Sequence, residues 1–261
     1  MISPAEIQYW RNRVPWNDDD QVEQDLILAR LMIEIANDAL LGDELIMRGG
    51  TCFHMLWLDR PWRYSEDLDY VRRSEGPVGP ILDALRSIGE RVGFDKTSTA
   101  VGRHPKANMH STFASGNRLR VKVEMNTFER SPALPTTSRT LTVDSPWFAG
   151  SADVPTFEVE ELTASKIRAI YQRSKGRDLF DLWLAVHLAG AQPTSIAQCF
   201  APYRPDGWTP ALALANLEVK LADHTFTTDI DRLLIDRPDG YDAAAAAETV
   251  RAIINAIRET P

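Results

Sequence analysis

The chain has 261 residues, of which 44% are hydrophobic and 25% are charged, and it can bury a sizeable core in one large domain or two modest ones. Two cysteines do not suffice for a disulfide framework or a cysteine-based zinc site, and the lack of a signal-peptide pattern or a long apolar run predicts a soluble cytoplasmic protein with no membrane contact. The net charge of −8 argues weakly against a surface built for nonspecific nucleic-acid binding, although a local basic groove is compatible with it.

Apolar residues recur at helical spacing between Val22 and Leu41, and this periodicity predicts a long core helix. A short strand from Glu44 to Arg48 leads into a Gly-Gly-Thr turn. A second helix is expected from Thr51 to Leu58, with Thr51 as its N-cap. The N-terminus of that helix would present N–H groups and the positive end of its dipole to an anion beside the turn.

Two carboxylates, Asp67 and Asp69, belong to the next predicted strand, Glu66 to Arg72. Residues two apart in a strand point to the same face, so the two acids would lie side by side and repel each other. A half-buried strand tolerates such a pair mainly when the acids share a cation, and carboxylate oxygens suit Mg²⁺. The glycines of the upstream turn carry no Cβ, so their N–H groups can approach the phosphates of a metal-bound triphosphate.

A helix from Gly79 to Val92 and three strands near residues 95–101, 108–114 and 118–128 continue the first half. Glu124 lies on the polar face of the last strand, where it can serve either as a third metal ligand or as an ion-pair partner. Residues 132–155 are rich in Pro, Ser and Thr and predict a connection or short irregular strands.

The second half is mostly helical by periodicity, with helices expected at residues 161–173, 177–188 and 243–257. We therefore predict an α+β protein with two domains, residues 1–150 and residues 151–261. The first holds a mixed sheet with flanking helices, and the second is mainly helical and completes the active site.

Four motifs occur in order along the chain: the Gly49-Gly50-Thr51 turn, the stretch from Arg63 to Asp69, the helix with Lys166 and Arg173, and the stretch from Arg177 to Leu182. Together they resemble the AbiEii family of nucleotidyltransferase toxins, which includes the mycobacterial MenT toxins. The resemblance implies a DNA polymerase β-like nucleotidyltransferase fold in the first half. It also implies an enzyme that transfers a nucleoside monophosphate from an NTP to the 3′ acceptor end of tRNA, blocking translation, and a cognate antitoxin as partner.

The same resemblance implies roles for individual residues. Asp67 and Asp69 match the metal-binding pair, with two Mg²⁺ ions expected, and Lys166 and Asp181 match the later catalytic motifs. The nucleotide-binding set is Arg48, Gly49, Gly50, Thr51, Ser65 and Lys166. The Ser65 hydroxyl matches a position where phosphorylation inactivates some members, because a dianion there would compete with the triphosphate.

Each feature also has a plainer interpretation. Asp67 and Asp69 alone would most often be a solvated strand face, Lys166 an exposed helix lysine, and Asp181 a partner of Arg177. The cations Arg168, Arg173, Lys175 and Arg177 are either the solvated end of a helix hairpin or contacts for tRNA phosphates. Alternative functions are nucleotidylation of a protein hydroxyl and binding of a nucleotide or partner without turnover. We expect a monomer.

Overall fold

The computed structural model describes residues 2–259 and divides them into two compact units. The first unit takes the chain as far as Arg130 and again from Thr136 to Phe157. The second unit takes Ser131–Pro135 and the chain from Glu158 onward. The chain thus passes through the second unit at Ser131–Pro135, returns to the first unit, and enters the second unit again at Glu158.

A mixed seven-stranded sheet forms the centre of the first unit. Its strands are β1 (Leu45–Arg48), β2 (Asp67–Arg72), β3 (Lys96–Ala100), β4 (Lys106–Thr112), β5 (Arg118–Asn126), β6 (Thr137–Asp144) and β7 (Ala149–Thr156). The strand order is β3-β4-β5-β2-β1-β7-β6. The central strand β2 runs antiparallel to β1 and parallel to β5, so it is hydrogen-bonded on both sides.

Five helices belong to the first unit: α1 (Pro4–Arg11), α2 (Asp19–Asn37), α3 (Leu41–Glu44), α4 (Gly49–Leu56) and α5 (Gly79–Val92). The alternate residues Val121, Val123 and Met125 of β5 are fully buried. Met109 of β4 points the same way and lies against α5, because a Cβ on Gly89 of that helix would be 3.6 Å from its Sδ atom. One face of β3, β4 and β5 therefore packs on helices and the other carries the polar residues.

The helix after the glycine turn begins earlier than predicted. It starts at Gly49, with Arg48 as the N-cap residue, so Thr51 lies in its first turn and is not the N-cap. The positive φ of Gly49, 84°, lets the chain turn directly from β1 into α4. The expected role of the helix N-terminus is unchanged, since its first N–H groups still have no intrahelical acceptor.

Residues 132–155 also differ from the prediction, because they contain two regular strands, β6 and β7, paired antiparallel from Thr137 to Thr156. The hairpin lies at the edge of the sheet, and Val143 is the only buried residue of β6. A strand with one buried residue shows no apolar alternation, and its sequence therefore looks like a loop.

The second unit consists of helices over the part of the chain that the structure describes. They are α6 (Val159–Gln172), α7 (Gly176–His187), α8 (Pro193–Gln198), α9 (Pro210–Leu221), α10 (His224–Thr228) and α11 (Ala243–Glu259), with two short 3-10 helices at Ala201–Tyr203 and Asp231–Leu233. α6 and α7 pack against each other, and α11 packs on α7, α8 and α9. The mixed sheet followed by helices confirms the predicted α+β class. No described helix is long and apolar enough to cross a membrane.

Candidate active site

The two strand carboxylates lie on one face of the sheet, as alternation predicts. Asp67 pairs in register with Lys122 of β5, and Asp69 pairs with Glu124. On its other side Asp69 is opposite Arg48 of β1. The intervening Leu68 is fully buried, which holds β2 in this orientation.

Lys122 provides a positive charge close to these acids. Its Nζ atom is 3.1 Å from Asp67 Oδ2 and 3.5 Å from Glu124 Oε2. Partial burial opposes protonation of Lys122, but the neighbouring carboxylates outweigh it and raise the pKa of the ammonium group. Burial raises the pKa of Asp69, and the charges of Lys122 and Arg48 only partly offset it. Glu124 is thus observed as an ion-pair partner.

The glycine turn is in close contact with the site. A Cβ on Gly49 would lie 2.5 Å from Asp69 Oδ2, and a Cβ on Gly50 would lie 2.2 Å from Nη2 of Arg63. Both distances are shorter than any van der Waals contact, so each glycine makes room for one side chain. Arg63 is 3% exposed and brings a guanidinium group to the first turn of α4. The sequence reasoning did not select Arg63, although its place in the Arg-Tyr-Ser-Glu-Asp-Leu-Asp stretch was visible.

Thr51 links the turn to the acidic strand. Its hydroxyl donates to the main-chain oxygen of Asp67 at 2.6 Å and lies 2.8 Å from Ser65 Oγ. The Thr51 hydroxyl has one proton, which it donates to Asp67. The Ser65 hydroxyl is therefore the donor in the hydrogen bond between Ser65 and Thr51. Arg48, the N-cap residue, forms an ion pair with Glu129. The predicted nucleotide-binding residues of the first unit therefore surround the Asp67 and Asp69 pair.

A buried ion cluster is the main polar feature of the second unit. Lys166 Nζ is 2.6 Å from Asp181 Oδ2 and 3.2 Å from Asp178 Oδ1. Arg173 donates two hydrogen bonds to Asp178, from Nε at 2.7 Å and Nη2 at 2.8 Å. Lys166 is not an exposed lysine, because its side chain is 14% exposed.

Asp178 is the residue of this cluster that sequence reasoning missed. It is fully buried and binds both cations. Burial alone would raise the pKa of its carboxyl group, but Lys166 and Arg173 outweigh burial and hold the pKa below its ordinary value. A carboxylate three residues before Asp181 on the same helix face was the available signal.

The four cations predicted to contact tRNA have different surroundings. The guanidinium of Arg173 is bound to Asp178, and that of Arg168 lies 5.8 Å from the ring centre of Tyr203. Lys175 is exposed and Arg177 is partly buried. Arg173 is therefore held by an ion pair within its own unit, while 48% of its side chain is exposed.

The donor set at Asp67 and Asp69 fits a divalent cation of the kind that prefers oxygen ligands. The two carboxylates share a face, and Gly49, which has no Cβ, lets the Asp69 carboxylate lie against the turn. Among the described residues, no group of three His, Cys, Asp or Glu side chains is arranged to hold a metal ion. A cation bound there would have the Asp67 and Asp69 carboxylates beside it, and substrate oxygens and water would complete its coordination.

Comparisons with known proteins agree with this architecture. The model of the family described as nucleotidyl transferase AbiEii toxin, type IV TA system, matches residues 30–256. No curated protein matches the chain in sequence. Several solved structures resemble it over almost the whole length, among them the following two.

The first structure is JHP933 from Helicobacter pylori, 14% identical, with a TM-score of 0.56 and coverage of 93% of each chain. The second is MenT4, a nucleotidyltransferase toxin from Mycobacterium tuberculosis, 17% identical, with a TM-score of 0.57 and coverage of 100% of this chain and 91% of that chain. At such identities the similarity concerns the fold, and the predicted nucleotidyltransferase fold is confirmed.

Proposed function

Because the chain belongs to the AbiEii family of nucleotidyltransferase toxins, we propose that it transfers a nucleoside monophosphate from an NTP to the 3′ acceptor end of tRNA and so blocks translation. The observation that carries this proposal is the pair Asp67 and Asp69, held on one face of β2 with Asp69 packed on Gly49. A protein that only bound nucleotides would have no need to keep two mutually repelling carboxylates there.

Asp67 and Asp69 would hold Mg²⁺, with Glu124 as a further candidate ligand that would have to leave Lys122. Two bound ions would neutralise the triphosphate charge and lower the pKa of the attacking hydroxyl. Nucleotidyl transfer requires little covalent assistance, so the protein acts mainly by positioning and by electrostatic stabilisation. Gly49 contributes by admitting the Asp69 carboxylate next to the turn.

The nucleotide would bind at the turn. The N–H groups of Gly49, Gly50 and Thr51 in the first turn of α4 would face the phosphates, and Arg48 and Ser65 flank them. The buried guanidinium of Arg63 adds a positive charge beside the same helix N-terminus. In the second unit, Lys166 would act as the cation for the triphosphate, and Asp181, 2.6 Å from its Nζ, would orient it.

Ser65 would be the regulatory site. Its hydroxyl bonds to Thr51, and a phosphate there would break that bond and place a dianion where the triphosphate is expected. We also propose that a cognate antitoxin protein neutralises the toxin and that the toxin is a monomer. The tRNA phosphates would contact Arg168, Lys175 and Arg177, and Asp178 would hold Arg173 in place beside them.

The test is incubation of the purified protein with each labelled NTP, Mg²⁺ and total tRNA. Wild type should label tRNA, and Asp67→Asn and Asp69→Asn should each reduce the rate by orders of magnitude. Glu66→Gln is the matched control, since it removes an exposed carboxylate from the same segment and should retain the rate. Label on a protein and none on tRNA would select the protein-hydroxyl alternative, and no label on either would refute the proposed transfer.

A further inference from the structure

A row of basic side chains covers the polar face of β3, β4 and β5. Residues paired in register share a face, which places Arg120, His110 and Lys96 in one row across the three strands. Lys122 and Asn108 form the next row, and Lys106 is opposite Glu124 in the row after that. Arg118 lies one row further along β5.

Lys122 is paired with Asp67 and Glu124, but the other four cations are available to a partner. Lys96, Arg118 and Arg120 are exposed. None of the three, nor Lys106, forms an ion pair with any described residue, and the one side-chain hydrogen bond of Arg120 goes to the neutral Asn108. The opposite face of these strands is the buried one. In a chain with a net charge of −8, a face with this excess of unpaired cations is a local exception.

The basic face is continuous with the candidate active site. Asp67 and Asp69 are on the same face, on the strand that pairs with β5. Neighbouring strands lie about 4.8 Å apart, and same-face residues of one strand are about 6.6 Å apart. The distance from the carboxylate pair to Arg118 or to Lys96 is therefore roughly 15 Å along this face.

We propose that this surface, defined by Lys96, Lys106, Arg118 and Arg120, binds the phosphates of an RNA strand whose 3′ end reaches Asp67 and Asp69. The inference rests on the proposed function, and it locates the acceptor strand on the sheet of the first unit. Cations at these spacings can contact successive phosphates, and such contacts do not depend on the nucleotide sequence.

An exposed aromatic residue beside the site favours RNA over an acidic protein. Phe128 follows β5 and is 48% exposed. The ring of His104 is 5.2 Å from its centre, and the guanidinium of Arg103 lies 5.3 Å from it. An exposed aromatic ring with a guanidinium group near it can stack on a nucleotide base, a contact that an acidic peptide does not offer.

Binding of tRNA to the full-length protein without NTP tests the proposal, measured by fluorescence anisotropy over a range of salt concentrations. The variant is Arg118→Gln with Arg120→Gln. The matched control is Arg86→Gln with Arg91→Gln, which removes a partly exposed and an exposed arginine from α5, on the helix side of the same sheet. Arg118→Lys with Arg120→Lys keeps the charge and tests whether charge alone is required.

Each phosphate contact contributes about 0.7 to 0.9 to the slope of log K against log salt. The glutamine variant should therefore lose about 1.5 from the slope and bind about tenfold more weakly at moderate salt, while the control and the lysine variant bind as wild type does. Equal losses in variant and control, no loss in the variant, or equal displacement of tRNA by polyaspartate would overturn the assignment. Intact binding without nucleotide transfer would count against the proposed function alone.

Discussion

Gly49 illustrates how a single residue can limit the whole site. Its φ of 84° lies in the left-handed region, and a Cβ there would be 2.5 Å from Asp69 Oδ2. Gly49→Ala should therefore displace the Asp69 carboxylate and reduce nucleotide transfer by at least a hundredfold, since the acids must keep their geometry. The measurement is the rate of label transfer from NTP.

Gly116→Ala is the matched control for this prediction. Gly116 has a φ of 90° in the turn between β4 and β5, and no atom would lie within 4 Å of its Cβ. Both substitutions should lower stability by about 1 to 2 kcal/mol through left-handed strain. Transfer should fall only in Gly49→Ala, and a similar fall in both variants would show that strain alone is responsible.

The carboxylate of Asp178 gives a second prediction at the residue scale. Removing one partner from a buried ion pair costs about 3 to 5 kcal/mol, so Asp178→Asn should destabilise the protein by that amount in urea unfolding. Because the folded-state pKa is lowered, the contribution of Asp178 is complete above the ordinary Asp pKa and is lost as pH falls through the folded value. The variant should accordingly lose part of the acid dependence of stability, whereas Asp206→Asn, at the surface, should keep it.

At the scale of elements, a buried carboxylate fastens the amino-terminal segment to α2. The Asp25 carboxylate accepts hydrogen bonds from the indole Nε1 atoms of Trp10 and Trp16, both at 2.9 Å. Trp10 belongs to α1, and Trp16 precedes α2. Burial raises the pKa of Asp25 to about 6, and the two indole groups only partly offset this.

This raised pKa predicts a pH dependence of folding. The protonated form is favoured in the folded state, so the contribution of Asp25 is greatest below the ordinary pKa of 3.8 and is lost as pH rises to about 6. The difference of about two units corresponds to about 3 kcal/mol. In Asp25→Asn, the free energy of unfolding should no longer fall for this reason as pH rises from 4 to 7. The measurement is urea unfolding followed by tryptophan fluorescence. Asp43→Asn, an exposed residue, should retain it.

Elements with strong periodicity were predictable from the sequence, and weakly patterned ones were not. α5 has the predicted bounds, Gly79–Val92, because its apolar face repeats over fourteen residues. α1 has eight residues, too few for periodicity to predict it, although Ser3 and Glu6 form a capping box. The hairpin of β6 and β7 was predicted only as a connection or short irregular strands, because an edge strand with one buried residue lacks alternation.

The same distinction applies to the candidate site. Alternation along β2 was enough to place Asp67 and Asp69 on one face. The neighbours Lys122 and Arg63 depend on strand pairing and on the path of the loop before β2, which are set by long-range packing. Local patterns do not contain that information. The roles assigned to the acids are still predictions, and the transfer assay tests them.

At the scale of the whole molecule, the chain crosses between units more than once. Ser131–Pro135 belongs to the second unit, although β6 and β7 that follow belong to the first. Glu161 of α6 anchors this segment, because its carboxylate accepts hydrogen bonds from the main-chain N–H groups of Ala133 and Leu134, both at 3.0 Å. It also accepts one from the hydroxyl of Tyr203 at 2.6 Å, and Glu161 is 1% exposed.

Glu161→Gln should release the crossing segment. An amide oxygen can accept from one main-chain N–H, but the amide nitrogen cannot accept from the other, so one partly buried donor loses its partner at a cost of about 1 kcal/mol. Limited proteolysis should then cut within residues 131–135 faster than in wild type. Glu160→Gln changes the neighbouring, more exposed residue and should leave the cleavage rate unaltered. Equal protection of the segment in Glu161→Gln would mean that its other contacts suffice to hold it.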